Sequence, residues 1–213
     1  MSILNEISLK LQQGNASAVK ELVQQAIDKG FSAQEILEKG LMAGMDVVGV
    51  KFKNNEIFVP EVLIAARAMN AGTALLKPLL VSDDVKAKGK VVLGTVKGDL
   101  HDIGKNLVRM MMEGKGLEVI DLGIDVPVEK FIETAVQEQA QIIACSALLT
   151  TTMNEMKLIV EAAKTAGIRD KVKIMIGGAP VTDQFRASIG ADLYAPDAAS
   201  AAEVAVQACA SMA

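Results

Sequence analysis

Two rhythms of apolar residues divide the chain. Up to about residue 80, apolar side chains recur every three or four positions; from 90 onward, short apolar runs alternate with amphipathic stretches. In "NASAVKELVQQAIDKG", Ala18, Leu22, Val23, Ala26 and Ile27 share one helical face, and Gly30 ends the pattern. "FSAQEILEKG" opens with Ser32 and Glu35, spaced as a capping box. The helix it starts carries Leu37, Leu41, Met45, Val48 and Phe52 on one stripe, and Gly40 and Gly44 leave room for a close neighbour. After "KNNE" a further helix begins near Pro60, with Val62, Leu63, Ala66, Met69 and Leu76 inward and Thr73 as the polar member of that face. With the short segment "ILNEISLKLQQG" this predicts four helices joined by short loops, an antiparallel bundle over residues 1–83.

"KPLLVSDDVKAKGK", residues 77–90, breaks the pattern at Pro78 and then turns polar. Its later part, 84–90, reads as a linker between domains. Beyond it, over 91–213, "KVVLGTV", "LEVIDLG", "AQIIACSAL", "KVKIMIGG" and "ADLYA" read as buried strands. They are separated by "IGKNLVRMMMEGKG", "PVEKFIETAVQEQ", "TMNEMKLIVEAAKTAG" and "TDQFRASIG", and "SAAEVAVQACASM" follows as a last helix. Five βα units of this length predict an α/β domain: a doubly wound, five-stranded parallel sheet of the flavodoxin/Rossmann-like kind.

Composition narrows the functions. Hydrophobic residues make up 51% of the chain and aromatics 3%, so aliphatic side chains and methionine build the interior. The formal net charge of −4 and the absence of a Lys/Arg cluster argue against nucleic acid. No apolar run approaches membrane-spanning length, and the first residues lack a secretory pattern. Cys145 and Cys209 are far apart in apolar surroundings, as reduced thiols of a cytoplasmic protein would be. One histidine and two scattered cysteines do not make a zinc site.

Ligands of an open parallel sheet sit beyond the carboxyl ends of its strands. There the chain offers "KGDLHDIG", "GIDVP", "SALLTTT", "GGAPVT" and "APDA". His101, the lone histidine, is the one good nitrogen ligand, and Asp99, two residues earlier, can accept its other N–H and fix its tautomer. Ser146, Thr150, Thr151 and Thr152 supply neutral hydrogen-bonding groups, and Gly177 and Gly178 remove side chains. No nucleophile is paired with a base, and no Walker-type loop is present. The rim suits a large, mostly neutral ligand. Each feature also has a plainer reading. His101 with an acid at i−2 fits a surface residue beside a helix cap; Asp102 or Asn106 could start the helix; the glycine pair fits a strand-to-helix turn; and the Ser/Thr run fits a cap for the helix near Thr152.

Taken together, the loops resemble the cobalamin-binding modules of corrinoid-dependent methyltransferases. "GDLHDIG" matches their Asp-x-His-x-x-Gly signature at Asp99, His101 and Gly104; "SAL" at Ser146–Leu148 matches their Ser-x-Leu; and "IGGAP" matches their Gly-Gly turn. "MDVVGVKFKNNEIFVPEVLIAARAM" is similar to the helical cap of these modules, found in methionine synthase and in stand-alone corrinoid proteins. The resemblance implies a cobalamin bound base-off with His101 as the lower axial ligand of cobalt and Asp99 as its hydrogen-bonded partner. It places Asp102, Ile103 and Gly104 beside the nucleotide loop. Ser146, Leu148 and Thr150 would line the buried tail, Gly177 and Gly178 would leave it room, and Thr152 stands where the family often has serine. Phe52, Val59 and Val62 would cover the upper face of cobalt, with Val59 smaller than the leucine often seen there. The implied role is a methyl carrier, cycling between methyl-Co(III) and Co(I). It would pass a methyl group from a substrate-specific methyltransferase to a second methyltransferase acting on tetrahydrofolate or a thiol, with a corrinoid reductive activase as a further partner. Methanol, methylamines, betaines and aromatic methyl ethers are donors in such systems. The alternative within B12 chemistry is a sensor, for which these residues show no output domain. A flavin-binding module is disfavoured by the scarcity of aromatics.

Overall fold

The computed structural model describes residues 2–82 and 87–212. It divides into two compact units, Met1–Lys86 and Ala87–Ala213. Residues 84–86 of the predicted linker lie outside the described residues.

In the first unit, α1 (Ile3–Gln12) and α2 (Ala16–Asp28) are capped by the side chains of Ser2 and Asn15, each accepting a backbone N–H of the first turn. Ser32 caps α3 (Ala33–Glu35) as its spacing predicts, by accepting the Glu35 N–H at 3.1 Å. The helix runs on as a π-helical stretch (Ile36–Met42) into α4 (Ala43–Lys53). Sequence periodicity gives no warning of that wider turn, because a spacing of four, as in Leu37, Leu41 and Met45, is read as α-helical. Ile7, Leu11, Val19, Val23, Leu41, Met45 and Leu76 are fully or almost fully buried. Gly40 and Gly44 do what their spacing predicts. A Cβ on Gly40 would stand 3.2 Å from the Ile7 side chain, and one on Gly44 would stand 3.0 Å from the Ser8 carbonyl of α1.

The last helix of this unit, α5 (Val59–Ser82), corrects one expectation, for it continues through Pro78. Proline removes one N–H and crowds the carbonyl four residues back. Ala74 and Pro78 are exposed, so the freed Ala74 carbonyl can turn to water while the helix continues.

In the second unit the five expected strands are β1 (Lys90–Thr95), β2 (Glu118–Asp121), β3 (Ile142–Ser146), β4 (Lys173–Gly177) and β5 (Leu193–Tyr194). All pair in parallel in the order β2-β1-β3-β4-β5. This is the flavodoxin-like winding. It places a switch point between β1 and β3, where the connections leave in opposite directions and open a crevice. Helices α6 (Ile103–Gly114) and α10 (Ala198–Met212) pack together on one face, and α7 (Val128–Gln137) and α8 (Asn154–Thr165) on the other, followed by α9 (Asp183–Ile189). Met111 and Met112 are core residues, and Phe131 lies so close beneath Gly94 that a Cβ there would meet its ring at 2.7 Å. Cys145 and Cys209 are free, buried thiols; burial pushes the Cys145 thiol far up, so it is inert.

Substituting Gly44→Ala sets a methyl against the α1 backbone, which cannot rotate aside. Overpacking of this kind costs about 1–3 kcal/mol, offset by about 1 kcal/mol of improved helix propensity. The expected result is a net loss of about 1 kcal/mol in the unfolding of the helical unit. It is read as a lower urea midpoint at unchanged slope by circular dichroism.

Candidate functional site

The site is built from the carboxyl ends of β1 and β3. Strand register sets Thr95, Ser146 and Gly177 side by side across β1, β3 and β4. Beyond Thr95 the chain turns at once: the Asp99 N–H donates to the Val96 carbonyl at 3.1 Å, across a turn in which Gly98 takes a φ of +80°. The turn drives the Asp99 side chain inward, where it is wholly buried.

A buried carboxylate must find donors, and Asp99 finds five. Its Oδ1 accepts the His101 backbone N–H at 3.1 Å and lies 2.7 Å from His101 Nδ1. Its Oδ2 accepts the N–H groups of Leu148 at 2.7 Å and Leu149 at 3.1 Å, and lies 3.0 Å from the Thr152 hydroxyl. That hydroxyl is also 2.9 Å from the Leu149 carbonyl and shares its one hydrogen between the two acceptors. Burial alone pushes the Asp99 carboxyl up, but the bonds from His101, Leu148 and Leu149 outweigh it and hold the group well below the usual carboxylate range. With an ionised acceptor at Nδ1, the imidazole carries its proton there. Nε2 is then left with a free lone pair on a side chain that is 51% exposed. The Thr95 hydroxyl donates to the His101 carbonyl at 2.8 Å and fixes the far end of the loop.

The remaining predicted residues divide. Asp102 occupies the N-cap position of α6 without a side-chain cap bond; its Oδ2 accepts from Asn106 Nδ2 at 3.0 Å. Ile103 is three-quarters exposed, and nothing stands within 4 Å of where a Cβ on Gly104 would lie. Around them Leu100, Ile103, Ile124, Leu148 and Leu149 give the rim an exposed apolar border. Ser146 is half-buried and Thr150 exposed. Thr152 does not cap a helix: α8 starts at Asn154 with Met153 at its N-cap position and no side-chain cap bond, and the threonine hydroxyl donates to Asp99 instead. Gly177 and Gly178 differ in kind. A Cβ on Gly177 would meet open space, whereas one on Gly178, at φ +133°, would fall on the Ala147 carbonyl oxygen. The first glycine leaves room, and the second lets two loops touch. Phe52, Val59 and Val62 belong to the helical unit, where Phe52 and Val59 are half-buried and Val62 is fully buried on α5. The Leu148 and Leu149 amides and the Thr95 hydroxyl were not legible in the sequence. Backbone donors leave no residue-type signal, and Thr95 read as one more strand residue.

A B12 binding domain model matches residues 89–205, and a second B12 binding domain model matches residues 3–77. The chain belongs to the B12-binding corrinoid proteins. It is 45% identical over 200 residues to the dimethylamine corrinoid protein of Methanosarcina barkeri, covering 92% of this chain and 94% of that one. Among solved structures, a cobalamin-binding protein from Desulfitobacterium hafniense is 34% identical with a TM-score of 0.81, over 96% of this chain and 98% of that one. The methanol:cobalamin methyltransferase complex of Methanosarcina barkeri contains a chain 32% identical with a TM-score of 0.87, over 98% of this corrinoid protein and 80% of that chain. No described helix is long and apolar enough to cross a membrane.

The depressed Asp99 pKa has a definite sign in stability. The folded value lies below the unfolded value of about 3.9. The carboxylate's contribution is therefore complete above that value and disappears as pH falls through the folded one. Asp99→Asn points an amide N–H₂ at N–H donors on one side and orphans them, at about 2–4 kcal/mol. Urea titrations should show the variant less stable at neutral pH and less sensitive to acid below about pH 4.

Proposed function

We propose that this corrinoid protein is a methyl carrier. It would hold cobalamin base-off, with His101 Nε2 as the lower axial donor to cobalt and the crevice between β1 and β3 receiving the nucleotide tail. The observation that carries this reading is the His101–Asp99 pair. The chain's one imidazole has its Nδ1 tied 2.7 Å from a buried, ionised carboxylate, and its Nε2 is free at the rim. A bound corrinoid supplies a cobalt centre that accepts and releases a methyl group.

The residues present fit such a group. Asp99 fixes the ring's tautomer and orientation, which is how a protein aims a ligand at a metal through its distal nitrogen. The open space over Gly104 and Gly177 gives a tail somewhere to lie; Ser146, beside Gly177 in the strand register, would line it with Leu148 and Thr150, and Asp102 and Ile103 would flank it. The exposed leucines and isoleucines of the rim match an apolar ring edge. Among the described residues no group of three or more His, Cys, Asp or Glu could hold a metal ion. In the helical unit, Phe52, Val59 and Val62 would shield the upper face.

The relatives support a substrate-specific methyltransferase as one partner. The methanol complex pairs a corrinoid chain with its methyltransferase, and the dimethylamine relative is named for another donor. In this reading a substrate-specific methyltransferase loads the carrier, a second methyltransferase unloads it onto tetrahydrofolate or a thiol, and a reductive activase rescues it after oxidation. Choice of donor lies with the first partner.

Two measurements test the assignment. In protein reconstituted with cobalamin and labelled with nitrogen-15 at its single histidine, the Co(II) electron-resonance spectrum should show coupling to one imidazole nitrogen. His101→Ala should keep the corrinoid but lose that coupling, and a wild type without it refutes the ligand assignment. Gly177→Val fills space that no protein atom uses, so the apo-protein should melt as the wild type does. Corrinoid retention through gel filtration should nonetheless fall by about tenfold or more.

A further inference from the structure

Three non-glycine residues among those described have a left-handed backbone: Asn55, Asp125 and Gln139. Asn55 and Gln139 follow the last turns of α4 and α7, where chains ordinarily end a helix in this way. Asp125 ends no helix. It lies between β2 and α7, in "GIDVP", and the carrier role assigned above gives it no part.

Its place in the sheet explains its shape. The Thr95 N–H donates to the Gly123 carbonyl, and the Thr95 carbonyl accepts the Val126 N–H. In an unbroken parallel ladder those two partners are two residues apart; here they are three. One extra residue is therefore inserted opposite Thr95, and between the Leu93–Asp121 pair and the bridge between Val96 and Val126 the β2 side carries two residues more than β1. The bulge turns Asp125, at φ +52°, towards the histidine loop. There it bonds twice. Its Oδ1 accepts the Gly98 N–H at 2.7 Å, and its own N–H donates to the Asp99 carbonyl at 3.0 Å. These two bonds grip the Gly98–Asp99 dipeptide from both ends.

We infer that Asp125 is a positioning residue. The bulged β2–α7 loop clamps the backbone of Gly98 and Asp99 through it, so that the Asp99 carboxylate meets His101 Nδ1 and Nε2 stays free. The inference rests on the ligand role assigned to His101, but the clamp itself acts in the protein without cofactor. The left-handed backbone at Asp125 is explained by this task, since aspartate and asparagine accept that conformation and also supply the oxygen that takes the Gly98 N–H.

The test uses the full-length apo-protein labelled with nitrogen-15 histidine, well above the titration range of the imidazole. There, the shifts of its one ring report the ratio of the Nδ1–H to the Nε2–H tautomer. Wild type should be mainly Nδ1–H. Asp125→Ala and Asp125→Gly should lower that ratio at least about fivefold, the loss of one charge-assisted bond. Glycine keeps the backbone conformation, so it removes the carboxylate alone and decides the matter if the alanine variant fails to fold. Asp125→Asn keeps the oxygen and should restore the ratio to within about twofold. A ratio unchanged in Asp125→Gly, or a wild type that is mainly Nε2–H, overturns the clamp. If the ratio shifts as described but the reconstituted wild type shows no coupling between cobalt and nitrogen, the clamp stands and the ligand assignment falls.

Discussion

The rim of the α/β unit depends on one charge taken out of water. Desolvating a carboxylate costs several kcal/mol, and Asp99 recovers it only because donors converge from two loops that start on different strands. The loop after β1 supplies the histidine, and the loop after β3 supplies two amides and a hydroxyl. Neither loop is fixed alone. Each is the other's scaffold, and the imidazole's orientation follows from their agreement. The same charge decides which ring nitrogen carries the proton, so a burial problem and a tautomer problem have one solution.

The sheet order makes this possible. With β3 central and β1 beside it, the connections after the two strands diverge, and a gap remains that helices do not fill. Gly178 lets the β4 loop press onto Ala147 at the edge of that gap, while Gly177, one residue earlier, keeps its floor clear. Adjacent glycines thus serve opposite ends: one allows contact and the other prevents it.

Much of this was written in the local sequence, and the exceptions have physical reasons. Alternating apolar runs located every strand, because a buried parallel strand must be continuously apolar. Spacing alone put Asp99 within reach of His101 but fitted a surface histidine beside a helix cap as well. The partners of Asp99 in the β3 loop could not be found in this way, since two of them are amides that any residue would provide. Thr152 was legible as a helix cap and also as the family's relay position, and only the three-dimensional path of the chain decides between them. The π-helical stretch and the passage of α5 through Pro78 were hidden for a related reason. Both are settled by what lies beside the helix, and helical periodicity records only which side faces inward. Asp125 sat in view within "GIDVP", but the bulge that gives it meaning is a property of two strands at once.

One contact at the opposite end of the sheet has a consequence for how the chain matures. Gly89, just before β1, abuts Cys209 of α10 so tightly that a Cβ there would stand 2.6 Å from the cysteine's own Cβ, and α10 lies along α6. The base of the first strand is thus sealed by the last helix. During synthesis the amino-terminal bundle has all its partners in hand early and can fold as it leaves the ribosome. The α/β unit must wait until α10 has been made before its first strand is covered, so the two units complete their cores at different moments of synthesis.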